Sequence, residues 1–412
     1  MTSNLIFDVI EMDRADVVIV GGGSTGANIA FHLAKAGQKN IVLLEKDFLA
    51  FGATGRSAAI VRCHYPHRET SKLALKSLEF FQSFDKEVGG HSGFTRTGLL
   101  VLVGINDAAN LKGTVAMQND VGVNVDVVSN DEIRRIEPRL ALDGIAIGAW
   151  EPAAGYADSS SFVTSLASRS EKMGVKILQK TKLTGIETSG GKIVRVKTDK
   201  DNIETPKVVC ATGSWSQQIG DMISVKFPLK LRRSKLAVFK RPADFGASHP
   251  IVFDVPQDSY FRPDGQRTIV GGAAPTSPEG RANLNPDRFG ESVESGEALK
   301  FANDAVLRFP AFANAVQVGG WAGISDDGLD GYPILSELPT IDGFFCAFGM
   351  SGHGFKLSPM IGKAMADLVM SGKSKEFNME EYRYSRFEES KPIEVPLEYS
   401  WGVGPLESKK AT

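Results

Sequence analysis

The sequence predicts an α/β fold, α+β overall, in which two kinds of β-sheet alternate along one chain of 412 residues. An apolar strand, a glycine-rich turn and a helix occupy about 15–46, which is typical of a parallel sheet. Residues 225–321 contain alternating strands and turns instead, which favours a mostly antiparallel sheet. Parallel-type elements return at 343–370. We therefore expect two domains, of which at least one is built from separated stretches of the chain.

The opening unit contains the pattern G-x-G-x-x-G between an apolar strand and a helix. Gly21 permits the tight turn, Gly23 lets backbone amides approach a pyrophosphate, and Gly26 lets helix and strand pack closely. The N-terminus of the helix attracts phosphate charge. Glu45 ends the second strand, 19 residues beyond Gly26, where it can accept hydrogen bonds from ribose hydroxyls. The whole unit predicts a Rossmann-like dinucleotide site rather than an unrelated glycine turn.

Composition and charge exclude several classes of protein. The chain has 47 Lys and Arg against 49 Asp and Glu, and this formal charge of −2 argues against nucleic acid as a partner. No segment approaches the apolar length that crosses a bilayer, and charged residues interrupt residues 1–14, where a signal peptide needs an apolar core. The cysteines Cys63, Cys210 and Cys346 lack paired spacing, which argues against disulfides and a metal site. We expect a cytoplasmic location.

Further elements indicate how the two domains share the chain. Helical spacing predicts helices over 70–87 and 159–174, and a glycine-ended strand at 208–213 resembles the first strand in character. A last strand at 343–348 leads through a glycine-rich loop into a helix over 357–370. We expect the first domain to comprise residues 15–88, 155–222 and 322–385, and the second domain to comprise residues 89–154 and 223–321. Residues 1–14 would form an N-terminal extension, and residues 386–412 a C-terminal tail.

Four segments occur in a characteristic order, namely Gly21–Gly26, Gly52–Arg62, Cys210–Trp215 and Ser351–Lys356. Together they resemble the FAD-dependent amino-acid and amine oxidoreductases, the family that includes D-amino-acid oxidase, glycine oxidase and sarcosine oxidase. The resemblance covers about 15–372 and looks closest to the branch of sarcosine oxidase and dye-linked L-proline dehydrogenase. Its most specific part is Gly-His-Gly-Phe-Lys near the C-terminus.

The resemblance implies an extended FAD at the boundary of an FAD-binding first domain and a substrate-binding second domain. The substrate would be a small amine or amino acid that loses hydride from its α-carbon to flavin N5 and becomes an imine. An electron acceptor, oxygen or another, would then be needed. The residues expected to bind FAD are Gly21, Gly23, Ser24, Thr25, Gly26, Glu45, Lys46, Thr54, Gly55, Arg56, Ser57, Ala58, Leu183, Ala211, Gly213, Trp215, Gly323, Gly352, His353, Gly354, Phe355 and Lys356.

Two cationic residues carry the substrate hypothesis. Arg62 and Lys356 match the family's carboxylate-binding pair, and a guanidinium fork with an ammonium can hold a carboxylate so that the α-carbon lies over the flavin. Lys356 stands just before the predicted helix over 357–370. In the family, the N-terminus of this helix points at the edge of the flavin where negative charge appears on reduction.

Three further side chains are candidates for catalytic roles. Tyr260 lies on a predicted strand, where an aromatic residue either faces the flavin or packs in the core. His353 could assist at the flavin edge or only satisfy a backbone carbonyl. His64 follows Arg62 closely and is a candidate base, although an amine that binds deprotonated needs no strong base.

Departures from the family's pattern refine these expectations. Trp321–Ile324 lacks the cysteine that attaches FAD in monomeric sarcosine oxidase, so we expect non-covalent FAD. Gly155–Ser159 lacks the histidine that attaches FMN in the heterotetrameric enzyme, which argues against a second flavin of that kind. Gln266–Gly271 lacks the lysine that promotes reaction with oxygen in some oxidases, which favours a dehydrogenase. Arg267 lies in the same segment, so an oxidase remains an alternative.

Two other functions remain open from the sequence. A 2-hydroxy-acid or glycerol-phosphate oxidoreductase would use Arg62 in the same way, and only a substrate panel separates it from an amine oxidoreductase. Alternatively, the chain is a homo-oligomer or a flavin-binding subunit of a larger dehydrogenase complex. The apolar run at 5–10 and the tail around Trp401 would then be docking surfaces.

Overall fold

The computed structural model describes residues 14–272, 284–395 and 397. The apolar run at 5–10 and Trp401, both considered above as docking surfaces, lie outside the described residues. Within the described ranges, no helix combines the length and the apolar character that a membrane crossing requires. No cluster of three or more His, Cys, Asp and Glu side chains suited to a metal ion occurs in this part of the chain.

The strands, in chain order, are β1 Val17–Val20, β2 Ile41–Leu44, β3 Ile60–Val61, β4 Thr95–Arg96, β5 Leu99–Val103, β6 Asp126–Val128, β7 Ile147–Glu151, β8 Gly155–Tyr156, β9 Lys176–Leu178, β10 Leu183–Ser189, β11 Lys192–Thr198, β12 Asn202–Glu204, β13 Val208–Cys210, β14 Leu229–Lys240, β15 Ile251–Asp254, β16 Ser259–Asp264, β17 Arg267–Gly272, β18 Val316–Gly328, β19 Ile334–Glu337 and β20 Phe344–Phe348. The α-helices are α1 Ser24–Lys35, α2 Arg68–Gln82, α3 Phe84–Val88, α4 Ala108–Asp120, α5 Asn130–Ile136, α6 Ser159–Lys172, α7 Ser216–Met222, α8 Ser295–Arg308 and α9 Gly354–Ser371.

The first sheet has six strands in the order β19-β20-β13-β1-β2-β9, and only β19 is antiparallel to its neighbour. Every residue of β1, β2, β13 and β20 is buried, as expected for a parallel sheet that is covered on both faces. On one face Val17 and Ile19 pack in a core with helices α1, α2 and α9. On the other, Val18 and Val20 pack with side chains of the three-stranded sheet β10-β11-β12.

The second sheet has eight strands in the order β18-β14-β17-β16-β15-β5-β7-β6, and its pairs are antiparallel except for β15 with β5. Helix α8 covers one face, where Phe301 and Ala305 pack against Phe261 and Val270. The opposite face turns towards the first sheet. A third, small sheet pairs β3 and β4 with β8. Along the chain, β3 and β4 lie between β2 and β5, and β8 lies between β7 and β9, so these strands occur where the chain passes from one large sheet to the other.

The observed elements correct two details of the sequence interpretation. The helix expected over 70–87 is two helices, α2 and α3, which meet at Ser83. The helix expected over 357–370 begins earlier, at Gly354, so Lys356 lies in its first turn rather than before it. The division of the chain into the domains given above remains a prediction.

The glycine-rich turn shows why two of its residues have no side chain. Gly21 has φ of +113°, and a Cβ there would lie 2.4 Å from the carbonyl oxygen of Ala211, at the end of β13. A Cβ on Gly26 would lie 1.9 Å from the carbonyl oxygen of Gly21. The start of α1 therefore packs directly on the end of β1 and positions the turn against the neighbouring strand.

We predict that Gly26→Ala destabilises the protein, because the added methyl group has no space and the turn must shift. Overpacking of this kind costs about 1–3 kcal/mol or more. The matched control is Gly296→Ala in α8, where a Cβ meets nothing within 4 Å and should be neutral or slightly stabilising. Melting curves of both variants, prepared without cofactor, check this, and equal melting temperatures for the two variants would contradict it.

Candidate active site

A cavity of about 330 Å³ lies where the carboxyl ends of the parallel strands meet the open face of the eight-stranded sheet. Ligands commonly bind at the carboxyl ends of such strands. The first sheet contributes the turn after β1, the end of β2 and the end of β13, and the second contributes side chains of β14, β15 and β16. All residues that the sequence analysis assigned to the site line this cavity, except Gly26, Gly55 and His64.

Gly26 and Gly55 lie behind the cavity wall. Gly26 packs on Gly21, as described above, and a Cβ on Gly55 would lie 2.5 Å from the carbonyl oxygen of Ala50. Both positions let the chain turn tightly below the residues that face the cavity.

Glu45 is held in place by the backbone around the glycine turn. The Gly22 amide donates to Glu45 Oε2 at 2.8 Å, and the Asp47 amide donates to Oε1 at 2.8 Å. Burial raises the pKa of this carboxyl, although the two amides oppose the rise. Each carboxylate oxygen has a further lone pair, so Glu45 can still accept from a hydroxyl in the cavity.

A group of polar side chains around Asp287 lies at one end of the cavity. Asp287 accepts hydrogen bonds from Trp215 Nε1 at 2.8 Å and Gln218 Nε2 at 3.0 Å, and forms an ion pair with Lys46 at 2.5 Å. The Lys46 ammonium also lies 4.0 Å from the centre of a Trp215 ring. Burial opposes ionisation of Asp287, but the hydrogen bonds outweigh it and lower its pKa to about 2. Segment 284–291 is thereby tied to the end of β2.

The loop between β2 and β3 forms one wall. Thr54 Oγ1 accepts from the Ser24 amide at 3.1 Å, which joins this loop to the first turn of α1. The Arg56 guanidinium bonds to the carbonyl of Phe51 in its own loop and pairs with Glu291 at 3.2 Å. Trp321, a further residue on β18, donates from Nε1 to the Arg56 carbonyl at 2.8 Å and does not line the cavity.

The loop between β20 and α9 is fixed by a buried carboxylate that sequence reasoning did not identify. The amides of Gly349 and Met350 donate to Asp326 Oδ2 at 2.6 and 3.2 Å. Burial raises the pKa of Asp326 to about 6, although these amides oppose the rise. The loop leads into the first turn of α9, whose residues line the cavity and whose amides have no partner within the helix.

Arg62 and Lys356 come together in this cavity as the sequence suggested. Arg62 donates to the His64 carbonyl, and its guanidinium lies 4.3 Å from the ring centre of Tyr65 and 5.1 Å from that of Phe253. Its Nε is buried without a hydrogen-bond partner. Lys356 is 8% exposed and donates from Nζ to the Gly352 carbonyl at 3.1 Å.

These two cations have no carboxylate partner within 4.0 Å in the described part of the chain. Burial, together with the charge of Arg62, lowers the pKa of Lys356 well below its usual value. A lysine in the first turn of a helix is also opposed by the helix dipole. Burial, the charge of Arg62 and the helix dipole thus all disfavour a charged Lys356, and such unfavourable placements are typical of functional sites.

Tyr260 and His353 are neutral groups in the same cavity. Burial raises the pKa of Tyr260, so its hydroxyl stays protonated at neutral pH. Burial, with the charges of Lys356, Arg62 and Arg232, lowers the pKa of His353 well below its usual value. Its Nδ1 has no hydrogen-bond partner, and its ring lies 5.1 Å from the ring of Tyr65.

His64 does not line the cavity. It is buried, and burial together with Arg62 lowers its pKa to about 3. The described structure therefore brings Arg62, Lys356, Tyr260 and His353 together and leaves His64 outside this group.

Arg232 is a cavity residue that the sequence analysis missed. It lies on β14, pairs with Asp327 through Nε at 2.5 Å and Nη2 at 3.3 Å, and donates to Ser234 Oγ at 3.2 Å. Arg232, Ser234 and Leu236 line the cavity at every second position of the strand. This alternation was visible in the sequence, but which face it points to depends on the sheet.

The chain is similar to known proteins over nearly its whole length. The sequence profile of the family described as "DAO: FAD dependent oxidoreductase" matches residues 16–368. The beta subunit of sarcosine oxidase from Rhodobacter capsulatus is 26% identical over 383 residues, which cover 91% of this chain and 90% of that protein.

Two solved structures extend this likeness to the fold. L-proline dehydrogenase from P. horikoshii superposes with a TM-score of 0.84 at 25% identity, covering 93% of this chain and 100% of that one. Glycine oxidase from Geobacillus kaustophilus gives a TM-score of 0.78 at 25% identity, over 91% and 99% of the two chains.

We predict that Lys356→Met stabilises the cofactor-free protein, by about 2 kcal/mol, because it removes a buried charge that lacks a carboxylate partner. The folded pKa of Lys356 is lowered, so the unfolded chain binds more protons and the wild type gains stability as pH rises towards the usual lysine value. The advantage of the variant should therefore shrink with rising pH. Thermal unfolding at several pH values tests this, and a variant less stable than wild type at neutral pH would refute it.

Proposed function

The chain belongs to the DAO family of FAD-dependent oxidoreductases, as the sequence resemblance predicted, and on this premise we propose that it oxidises a small amino acid or secondary amine. Sarcosine- and proline-like compounds are the favoured substrates, and glycine-like ones remain candidates. The observation that carries this proposal is the pair of largely buried cations, Arg62 and Lys356, on the wall of the cavity.

The pair would bind the substrate carboxylate. A guanidinium and an ammonium that converge without a protein carboxylate match an anionic group of two oxygens. Tyr260 supplies a hydroxyl nearby, while Phe253 and Leu236 supply apolar surface for the rest of a small substrate. Fixing the carboxylate at one end sets the position of the α-carbon, which is the contribution of orientation to catalysis.

FAD, when bound, supplies the acceptor for the hydride. The residues present fit this cofactor: Glu45 can accept from a ribose, the turn at 21–26 and the N-terminus of α1 suit a pyrophosphate, and the loop at 349–356 suits the flavin ring. The described cavity lining contains no cysteine, which supports non-covalent attachment.

The three cysteines are free and buried, which supports the expectation of a cytoplasmic location.

The structure also favours an electron acceptor other than oxygen. Arg267, the residue for which an oxidase remained an alternative, is exposed at the start of β17 and does not line the cavity. We therefore propose a dehydrogenase. Relatives from two bacteria are named as the beta subunit of sarcosine oxidase, which supports a partner subunit as a second proposal.

The test of this proposal is an anaerobic substrate panel. FAD-loaded protein is mixed separately with sarcosine, L-proline, glycine, D-alanine and 2-hydroxyglutarate, and the loss of flavin absorbance is followed. We expect sarcosine or L-proline to reduce the flavin, and we expect slow reoxidation when air is admitted. Reduction by 2-hydroxyglutarate alone would replace the amine with a hydroxy acid, and fast reoxidation would identify an oxidase.

We predict that Arg62→Ala raises KM for a carboxylate substrate by about ten- to a hundredfold, since losing one charged hydrogen-bonding partner costs roughly 1.5–3 kcal/mol. The amide of the same substrate lacks the charge, so its KM should change little. Arg96→Ala is the control, because Arg96 is exposed and bonds only to the Pro152 carbonyl through Nε. A rise in KM of less than about threefold would contradict the role of Arg62.

A further inference from the structure

The backbone that carries Arg62 is held from the side of the second sheet. The Cys63 amide donates to Glu151 Oε1 at 2.7 Å. Gln118 Nε2 donates to the carbonyls of Cys63 and Tyr65, at 3.1 Å each. Glu151 and Gln118 are 2% and 0% exposed, so water does not compete for these bonds. Segment 62–65 is therefore anchored by two buried side chains that the proposed chemistry does not use.

Glu151 is the anchor that can change its charge. It ends β7, where it pairs with Leu99 of β5, and its Oε2 has no hydrogen-bond partner of good geometry in the described structure. Burial raises the pKa of Glu151 to about 7, against the opposing effects of the Cys63 amide and the positive charge of Arg62. Both forms of this carboxyl are therefore populated at neutral pH.

The pKa values of Cys63, Tyr65 and His64, three neighbours of Glu151, are shifted away from neutral pH. Burial raises the pKa of the Cys63 thiol well above its usual value and that of Tyr65 to about 12. Burial lowers the pKa of His64 to about 3. From helix α2, Glu79 acts on Cys63, and it is half exposed and paired with Lys76. Arg62 remains as the permanent charge that faces Glu151.

We propose that Glu151 is a positioning residue, which holds the segment bearing Arg62 and whose protonated fraction rises, with uptake of protons from solvent, when a carboxylate enters the cavity. This inference rests on the proposed function, because it assumes that Arg62 binds the substrate carboxylate. The positive charge of Arg62 favours ionised Glu151, and a carboxylate bound to Arg62 offsets that charge. The negative charge of the ligand therefore favours the protonated form of Glu151.

Two other groups in the cavity could take up the proton instead. The pKa values of Lys356 and His353 are lowered by burial, and an anion would favour their charged forms as well. Glu151→Gln separates the alternatives. The amide oxygen of glutamine can still accept from the Cys63 amide, while the titrating group is lost.

The experiment is calorimetric titration of the FAD-loaded protein with acetate, at pH 7, in two buffers of different ionisation enthalpy. Acetamide is the uncharged control ligand. If acetate raises the pKa of Glu151 by about one to two pH units, wild type takes up roughly 0.4–0.5 proton, and Kd rises about five- to tenfold from pH 6 to pH 8. Acetamide should bind without proton uptake.

In Glu151→Gln the uptake and the pH dependence should disappear. Glu79→Gln removes a nearby exposed carboxylate and should behave like wild type. As a second measurement that needs no variant, infrared difference spectra of wild type with carbon-13 acetate should show a new protonated-carboxyl band.

The outcomes separate this inference from the proposed function. Acetate that binds wild type without proton uptake, or uptake that persists in Glu151→Gln, overturns the role of Glu151 and leaves the carboxylate site intact. Absence of the protonated-carboxyl band does the same. Failure of acetate to bind the FAD-loaded wild type overturns the carboxylate site itself, and the role of Glu151 with it.

Discussion

The constraint on which this molecule depends is the burial of two positive charges, Arg62 and Lys356, in one cavity without a protein carboxylate beside them. Such an arrangement relaxes unless the backbone on both sides is fixed, because either side chain would otherwise move towards water. The structure fixes both sides. Asp326 holds the loop before Lys356, and Glu151 with Gln118 holds the segment that carries Arg62. The buried hydrogen bonds that hold these segments thus offset the unfavourable free energy of burying the two charges.

The order of the elements along the chain brings the two cations together from separate segments. Arg62 follows β3, after the opening parallel strands, whereas Lys356 lies in α9 at the end of the last parallel strand. The face of the eight-stranded sheet closes the space between them with Tyr260 and Phe253. Because each wall comes from a different stretch of the chain, the cavity exists only when both large sheets are formed and packed.

The turn at 21–26 depends on local geometry, so its spacing alone predicted it. Arg62 and Lys356 were assigned because their segments resemble those of a known family. Glu151 and Asp326 act through contacts with distant segments, and no spacing along the chain indicates them. The alternation that includes Arg232 is visible in the sequence, but the face to which it points depends on the sheet. The same limit explains His64, which lies two residues after Arg62 in the sequence but does not line the cavity.

The charges also bear on how the amine of the substrate is activated. A positive field that attracts a carboxylate repels an ammonium group, so it favours the neutral amine of a bound amino acid. A neutral amine already has the lone pair that the loss of hydride requires. Tyr260 stays protonated and His353 stays neutral, so neither adds a negative charge that would restore the ammonium form. In the proposed function, the site therefore needs no strong base, because the charges that bind the carboxylate also lower the pKa of the ammonium group, whose proton passes to solvent.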